Sequence, residues 1–121
     1  MVKVLLDTNI LIDFLRGIPA AQAELARYND AAISVITWME VLVGAPPALV
    51  QPTRDFLHDF RLIELDSQVA ERAVAIRRDH RLKLPDAVIW ASAQVHARLL
   101  ITRDTKRFPA DDPGVRVPYT V

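Results

Sequence analysis

The chain has 121 residues, 51% of them hydrophobic, with fifteen basic and fifteen acidic side chains and no cysteine; this implies one domain over 1–121 with material for a full core. The lack of cysteine excludes disulfides, thiolate zinc sites and iron–sulfur clusters and suits a reducing, cytoplasmic setting, and His58, His80 and His96 show no close ligand spacing for a metal. No apolar run nears the ~18 residues of a membrane helix, no secretory signal is expected, and the balanced charge makes any nucleic-acid contact local rather than general.

Val2, Val4, Leu5 and Leu6 form an apolar run broken only by Lys3, as a parallel strand buried on both faces requires. Thr8 to Arg16 reads as a helix stopped by Gly17 and Pro19. Ala20 to Tyr28 is a second helix, with Ala21, Leu25 and Tyr28 on its apolar face. After a turn at Asn29–Asp30, Ala31 to Val35 is a strand and Thr37 to Val43 a helix, ended by Gly44 and Pro46–Pro47. Ala48 to Phe60 follows as an amphipathic helix with Leu49, Phe56, Leu57 and Phe60 on one side, then Arg61 to Leu65 as a strand.

Asp66 or Ser67 caps a long helix to about Arg81, striped by Val69, Ala70, Ala73, Val74 and Ile76. Leu84–Pro85–Asp86 opens a helix that runs to about Ala97. Leu99 to Thr102 is the fourth strand, Asp104 to Arg107 a turn or short helix, and Val115 to Val117 an edge strand between Pro113 and Pro118. Strands alternating with helices imply an α/β fold with a mainly parallel sheet.

Four acids stand out against this pattern. Asp7 ends the first strand, the place where open α/β sheets bind ligands. It also suits a helix cap, although no capping box accompanies it: the residues three beyond Asp7, Thr8 and Asn9 are Ile10, Leu11 and Ile12. Glu40 sits among apolar residues on its helix, either as a ligand or as a half-exposed glutamate at the helix edge. Asp86 falls in the first turn of a helix that is apolar nearly all round; the macrodipole favours an anion there, but does not explain why a buried face should carry one. Asp104 mirrors Asp7 after the fourth strand, with turn formation as the alternative.

In a doubly wound sheet these four positions can converge on one crevice. Two carboxylates about 4 Å apart repel by roughly 4 kcal/mol at an effective dielectric near 20, so four stay ionised together only beside a cation. An all-oxygen set suits Mg²⁺ or Mn²⁺, and metal-activated water attacking a phosphodiester is the matching chemistry.

The stretches LLDTNILID at Asp7, SVITWMEVLVG at Glu40, LKLPDAVIWASA at Asp86 and LLITRDTKRF at Asp104 resemble the PIN-domain ribonucleases over essentially the whole chain, most closely the VapC-type toxins of bacterial toxin–antitoxin pairs. The resemblance implies a three-layer α/β/α fold with a mainly parallel five-stranded sheet, and a Mg²⁺-dependent endoribonuclease acting on RNA. It implies Asp7 and Asp86 as the firmest metal ligands, with Glu40 and Asp104 completing the cluster and Thr8, Asn9 and Thr102 lining it. It further implies a homodimer and a cognate VapB-type antitoxin that covers the acidic groove with a basic side chain. One position departs from the pattern. Many members carry Asn where Asp104 stands and another acid just before the aromatic residue, where this chain has Arg107 before Phe108.

Arg103, Lys106 and Arg107 flank Asp104 and are candidates for phosphate contact. Arg77, Arg78, His80, Arg81 and Lys83 crowd one helix end, as a solvated terminus or as a track for an RNA backbone. Asp13 is placed to hydrogen-bond Asn9 one turn away, and Trp38 and Trp90 read as core. Other functions fit less well. A receiver-like signalling module wants paired acids after its first strand, and an aspartyl phosphatase wants an acid where Asn9 stands. A PIN fold that only binds a partner is the remaining alternative.

Overall fold

The computed structural model describes residues 2–120. Strands β1 (Val4–Leu6), β2 (Ala31–Ser34), β3 (Arg61–Ile63), β4 (Leu99–Ile101) and β5 (Val115–Arg116) form one sheet in the order β3-β2-β1-β4-β5. Every neighbouring pair is parallel. Helices α1 (Thr8–Leu15) and α2 (Pro19–Ala26) join β1 to β2. Helix α3 (Val35–Val43), a 3₁₀ turn at Pro47–Leu49 and helix α4 (Val50–Leu57) join β2 to β3. Helices α5 (Ser67–His80) and α6 (Leu84–Val95) lead to β4.

The pleat sorts the strand residues into two cores. Val4, Leu6, Ile33 and Ile101 pack with Ile10, Leu11, Val41 and Leu57 on one side. Leu5, Ala32, Ile63 and Leu100 pack with Val69, Ala73, Ile76 and the buried run of α6 on the other. The sheet is therefore the middle of three layers, which is why its central strand is apolar at every position. Within α6, residues Ala87 to Ala93 are all buried, and the Trp90 ring meets Phe108 edge-on with centroids 5.8 Å apart. No helix among the described residues is long and apolar enough to cross a membrane.

The elements depart from the sequence expectation mainly at their ends. Val35 opens α3 rather than ending β2, because the Ser34 hydroxyl accepts from Ile36 N–H at 3.0 Å and caps the helix. The helix expected over 48–60 is split into the 3₁₀ turn and α4. Pro52 falls in the first turn of α4, where its missing N–H needs no intrahelical partner. Asp66 caps α5 through Val69 N–H at 2.9 Å, and α5 ends where Arg81 turns left-handed, φ 55°. Trp90 is core, whereas Trp38 is half-buried with the Arg54 guanidinium 5.5 Å above its ring. The strands β3, β4 and β5 are each shorter than expected; Thr102 leaves the β4 ladder, although its N–H still donates to Arg116 O at 3.0 Å.

The short edge strand β5 is held from outside the sheet. Arg116 donates from Nε to Glu24 Oε2 at 2.8 Å and from Nη2 to Oε1 at 3.1 Å, and Tyr28 donates to the same carboxylate. Burial works against the Glu24 charge, but Arg116 and Tyr28 outweigh it and hold its pKa below the usual glutamate value. An acid depressed in the folded state stabilises above its unfolded pKa and loses that contribution as pH falls through the lower folded value. We expect Glu24→Gln to lower unfolding free energy by about 1.5–3 kcal/mol at neutral pH and to flatten the acid side of the stability profile. Urea titrations from pH 3 to 7 would show it; parallel wild-type and variant profiles would rule the lock out.

Candidate metal centre

The chain leaves β1 toward β2 on one side, while β4 returns to the other flank of β1. Strand order therefore reverses between β1 and β4, and the crevice at their carboxyl ends is where such sheets bind ligands. Asp7 follows β1 there, Thr102 to Asp104 follow β4, and the first turn of α6 brings Asp86.

Asp7 is completely buried. It occupies the N-cap position of α1, yet its carboxylate accepts only the adjacent Thr8 N–H (Oδ1, 2.8 Å) rather than an N–H deeper in the turn. Its other oxygen faces the crevice, where Oδ2 accepts the buried Thr102 hydroxyl at 2.8 Å and Arg107 Nη2 at 3.0 Å. Asp104 forms the turn anticipated for it and also faces the other two acids across Arg107. Oδ1 accepts from Lys106 N–H and Arg107 N–H, forming the turn, while Oδ2 accepts Arg107 Nε at 2.7 Å. Asp86, in the first turn of α6, accepts Arg107 Nη1.

One guanidinium thus joins three carboxylates from three segments, each through a different nitrogen. Sequence reasoning placed Arg107 as a phosphate contact and missed this arrangement. The available signal was the departure from the family pattern at that position, a base where the resemblance leads one to expect an acid, three residues after Asp104.

Glu40 stands apart from this cluster. It is exposed on α3 and linked to α1 by Thr8, whose hydroxyl donates to Glu40 Oε1 at 2.7 Å and lies 3.0 Å from the Thr37 hydroxyl. Asn9 points its amide Nδ2 at Thr102 (3.5 Å), and its Oδ1 is the one buried side-chain polar atom among the described residues without a hydrogen-bond partner. The expected Asp13–Asn9 bond is replaced. Asp13, fully buried, pairs with Arg103 Nε at 2.5 Å and with the Tyr119 hydroxyl at 2.9 Å. Arg103 is thereby turned away from the three acids. Tertiary pairing with a cation outweighs the weaker local bond.

Burial raises the Asp7 carboxyl above the usual aspartate range, against the pull of Arg107, Thr102 and the Thr8 N–H. Burial also works against the charge on Asp104, but the Arg107 side chain and two backbone N–H groups hold its pKa below the ordinary value. Arg107 is opposed by its own desolvation, yet Asp7, Asp104 and Asp86 raise its pKa above that of ordinary arginine.

The donor chemistry fits a hard divalent ion: an all-oxygen set, one member desolvated, already gathered around a positive group, with an unpartnered amide oxygen beside it. The spacing is that of the guanidinium. Among the described residues, no three His, Cys, Asp or Glu side chains are close enough together to hold a metal ion as they stand.

The PIN domain family profile matches residues 4–110 of the chain. Ribonuclease VapC10 of Mycobacterium tuberculosis (strain ATCC 25618 / H37Rv) is 32% identical over 98% of this chain and 94% of its own length. Toxin FitB of Neisseria gonorrhoeae (strain ATCC 700825 / FA 1090) is 28% identical over 96% and 98%. Among solved structures, a toxin–antitoxin complex from Klebsiella pneumoniae contains a chain that superposes with a TM-score of 0.93 at 49% identity, covering 98% of this chain and all of that one.

Thr102 couples Asp7 to the turn at Asp104, because its oxygen also accepts Asp104 N–H at 3.1 Å. Thr102→Val keeps the shape and removes a donor to the ionised form of Asp7. We expect the Asp7 pKa to rise further in the metal-free protein, with a loss of about 1–3 kcal/mol of stability. Carboxyl-carbon NMR titration and denaturant unfolding measure the two effects; an unmoved Asp7 titration would show that the hydroxyl does not hold the charge.

Proposed function

The chain belongs to the PIN domain family, and on that premise we propose that it is a metal-dependent endoribonuclease, the toxin of a toxin–antitoxin pair, acting as a single domain in the cytoplasm. The observation that carries this reading is the meeting of Asp7, Asp86 and Asp104 on one cation at the switch point of the sheet. Such a cluster needs positive charge to stay ionised, and a phosphodiester brings its own negative charge to the same place.

In this proposal Asp7, Asp86 and Asp104 hold Mg²⁺, with Mn²⁺ as the alternative, and Glu40 completes the set from the rim. A bound ion of this kind lowers the pKa of a coordinated water and screens charge developing on the phosphate. Thr102 fixes the rotamer of Asp7, and Thr8 holds Glu40 against α1. The free Oδ1 of Asn9, whose amide nitrogen points at Thr102, offers one further acceptor. Lys106, exposed on the adjoining turn, supplies positive charge for an RNA backbone.

A partner chain is supported by the relatives found as toxin–antitoxin complexes and by the surface itself. An apolar groove lined by Ile12, Leu15, Val41, Ala45, Pro46 and Leu49 runs beside α1 and α3, with Leu15, Val43 and Leu49 exposed. Patches of this kind mark protein contacts. We assign the groove to a VapB-type antitoxin; the homodimer expected of this family would use another surface. The guanidinium among the acids favours one second reading, a binding-only PIN fold in which Arg107 keeps the metal out permanently.

The protein freed of any antitoxin should cleave RNA with Mg²⁺ and not with EDTA. Asp7→Asn and Asp86→Asn should each lower cleavage by roughly 100-fold or more. Metal-dependent cleavage lost in both variants establishes the nuclease; metal bound without cleavage of total RNA or tRNA by the wild type would favour the binding-only reading.

A further inference from the structure

We propose that Arg107 is a built-in competitor for the divalent cation, a side chain that holds the acid cluster together in the metal-free protein and must leave it before a metal binds. The inference rests on the reading of Asp7, Asp86 and Asp104 as metal ligands. It is carried by the use of their oxygens and by the size of the space between them.

A carboxylate offers about four lone-pair positions. Asp7 Oδ2 spends two on Thr102 and Arg107. Asp104 Oδ1 spends two on backbone N–H groups, and its Oδ2 accepts Arg107. The crevice-facing oxygens are therefore engaged by the guanidinium. Its nitrogens stand 2.7 Å from Asp104 and 3.0 Å from Asp7, and the width of the guanidinium itself separates the acids further. Mg²⁺ demands oxygens at about 2.0–2.1 Å. The acids must close on the space that the guanidinium fills, so the two cations exclude each other. As they stand, no three acidic side chains among the described residues are placed to hold a metal.

Charge and position make the exchange workable. Three carboxylates beside one guanidinium carry a net charge of −2, and a divalent ion in its place leaves −1, so the exchange improves the balance. Arg107 sits on a turn, with 30% of its side chain exposed, so a rotamer change carries its head to solvent without moving the sheet. The guanidinium carbon lies 5.2 Å from the centroid of the neighbouring Phe108 ring, which is completely buried and fixes the turn beneath it. A guanidinium elsewhere in the fold makes the contrast: Arg98 binds the main-chain carbonyls of Val4 and Asp30 and has no such exit.

The test is equilibrium metal binding to the full chain, read by Mn²⁺ electron paramagnetic resonance and Mg²⁺ calorimetry, for wild type, Arg107→Gln and Arg107→Lys. Where a competing state dominates, removing it tightens apparent affinity by the inverse of the competent fraction. We expect Arg107→Gln to bind about tenfold tighter or more, and Arg107→Lys, which keeps the charge but not the three-way fork, to fall between. Arg107→Gln should also unfold at lower temperature in EDTA and gain more from Mg²⁺ than the wild type. In the wild type itself, the Arg107 Nε–H resonance should shift as Mg²⁺ is added, which decides the matter even where a variant fails to fold. Equal or weaker binding by Arg107→Gln, or an Arg107 resonance unmoved while metal binds, overturns the competitor and leaves the metal site standing. Binding by none of the three proteins overturns both.

Discussion

The charge balance at the carboxyl end of β1 and β4 is the constraint on which the site depends. Three carboxylates from separate segments are drawn to one crevice by the reversal of strand order, and one of them is completely desolvated. Such an arrangement survives only beside positive charge. Arg107 supplies it from within the chain, and it does so from the turn that Asp104 itself builds. Turn, acid and counter-charge are therefore parts of one short segment, packed into place by Phe108 against Trp90.

The opposite end of the strands solves a different problem with the same side chain. Arg98 is buried at the amino ends of the strands, where it donates to the carbonyls of Val4 and Asp30 and to the Asp30 carboxylate. It adds a donor to main-chain acceptors there, one of which, Asp30 O, also accepts Val4 N–H at 3.2 Å. Two further arginines, Arg103 on Asp13 and Arg116 on Glu24, tie the segments after β4 and at β5 back to α1 and α2. A short edge strand offers few ladder bonds, and these pairs compensate by fixing it from its flank. Arg98, Arg103, Arg107 and Arg116 are thus each engaged within the fold.

Glu40 shows how indirect placement works. It does not touch the guanidinium; Thr8 holds it by one hydrogen bond, and Thr8 follows Asp7 directly. The fourth acid is thereby tied to the first through the start of α1, although more than thirty residues separate them in sequence. An exposed acid held in this way can move inward without unfolding a helix.

The three-layer α/β fold, the parallel sheet and family membership were legible in the sequence. Strands buried on both faces must be apolar at every position, as Val4, Leu5 and Leu6 are, and α6 could be recognised as central because it has no polar face. Which acids gather was partly legible too: Asp7 and Asp104 follow apolar strands, and a strand end is a fixed address in this architecture. Element ends were less so, because Ser34 acts through a local hydrogen bond and Pro52 through the N–H it lacks, neither of which apolar periodicity reports. What only the tertiary structure decided is which base meets which acid. Arg103 and Arg107 are four residues apart on one segment, equal in charge and reach, yet one is paired with Asp13 and the other with the crevice. That choice depends on the direction in which the turn after β4 points each side chain, and charge acts through space rather than along the chain.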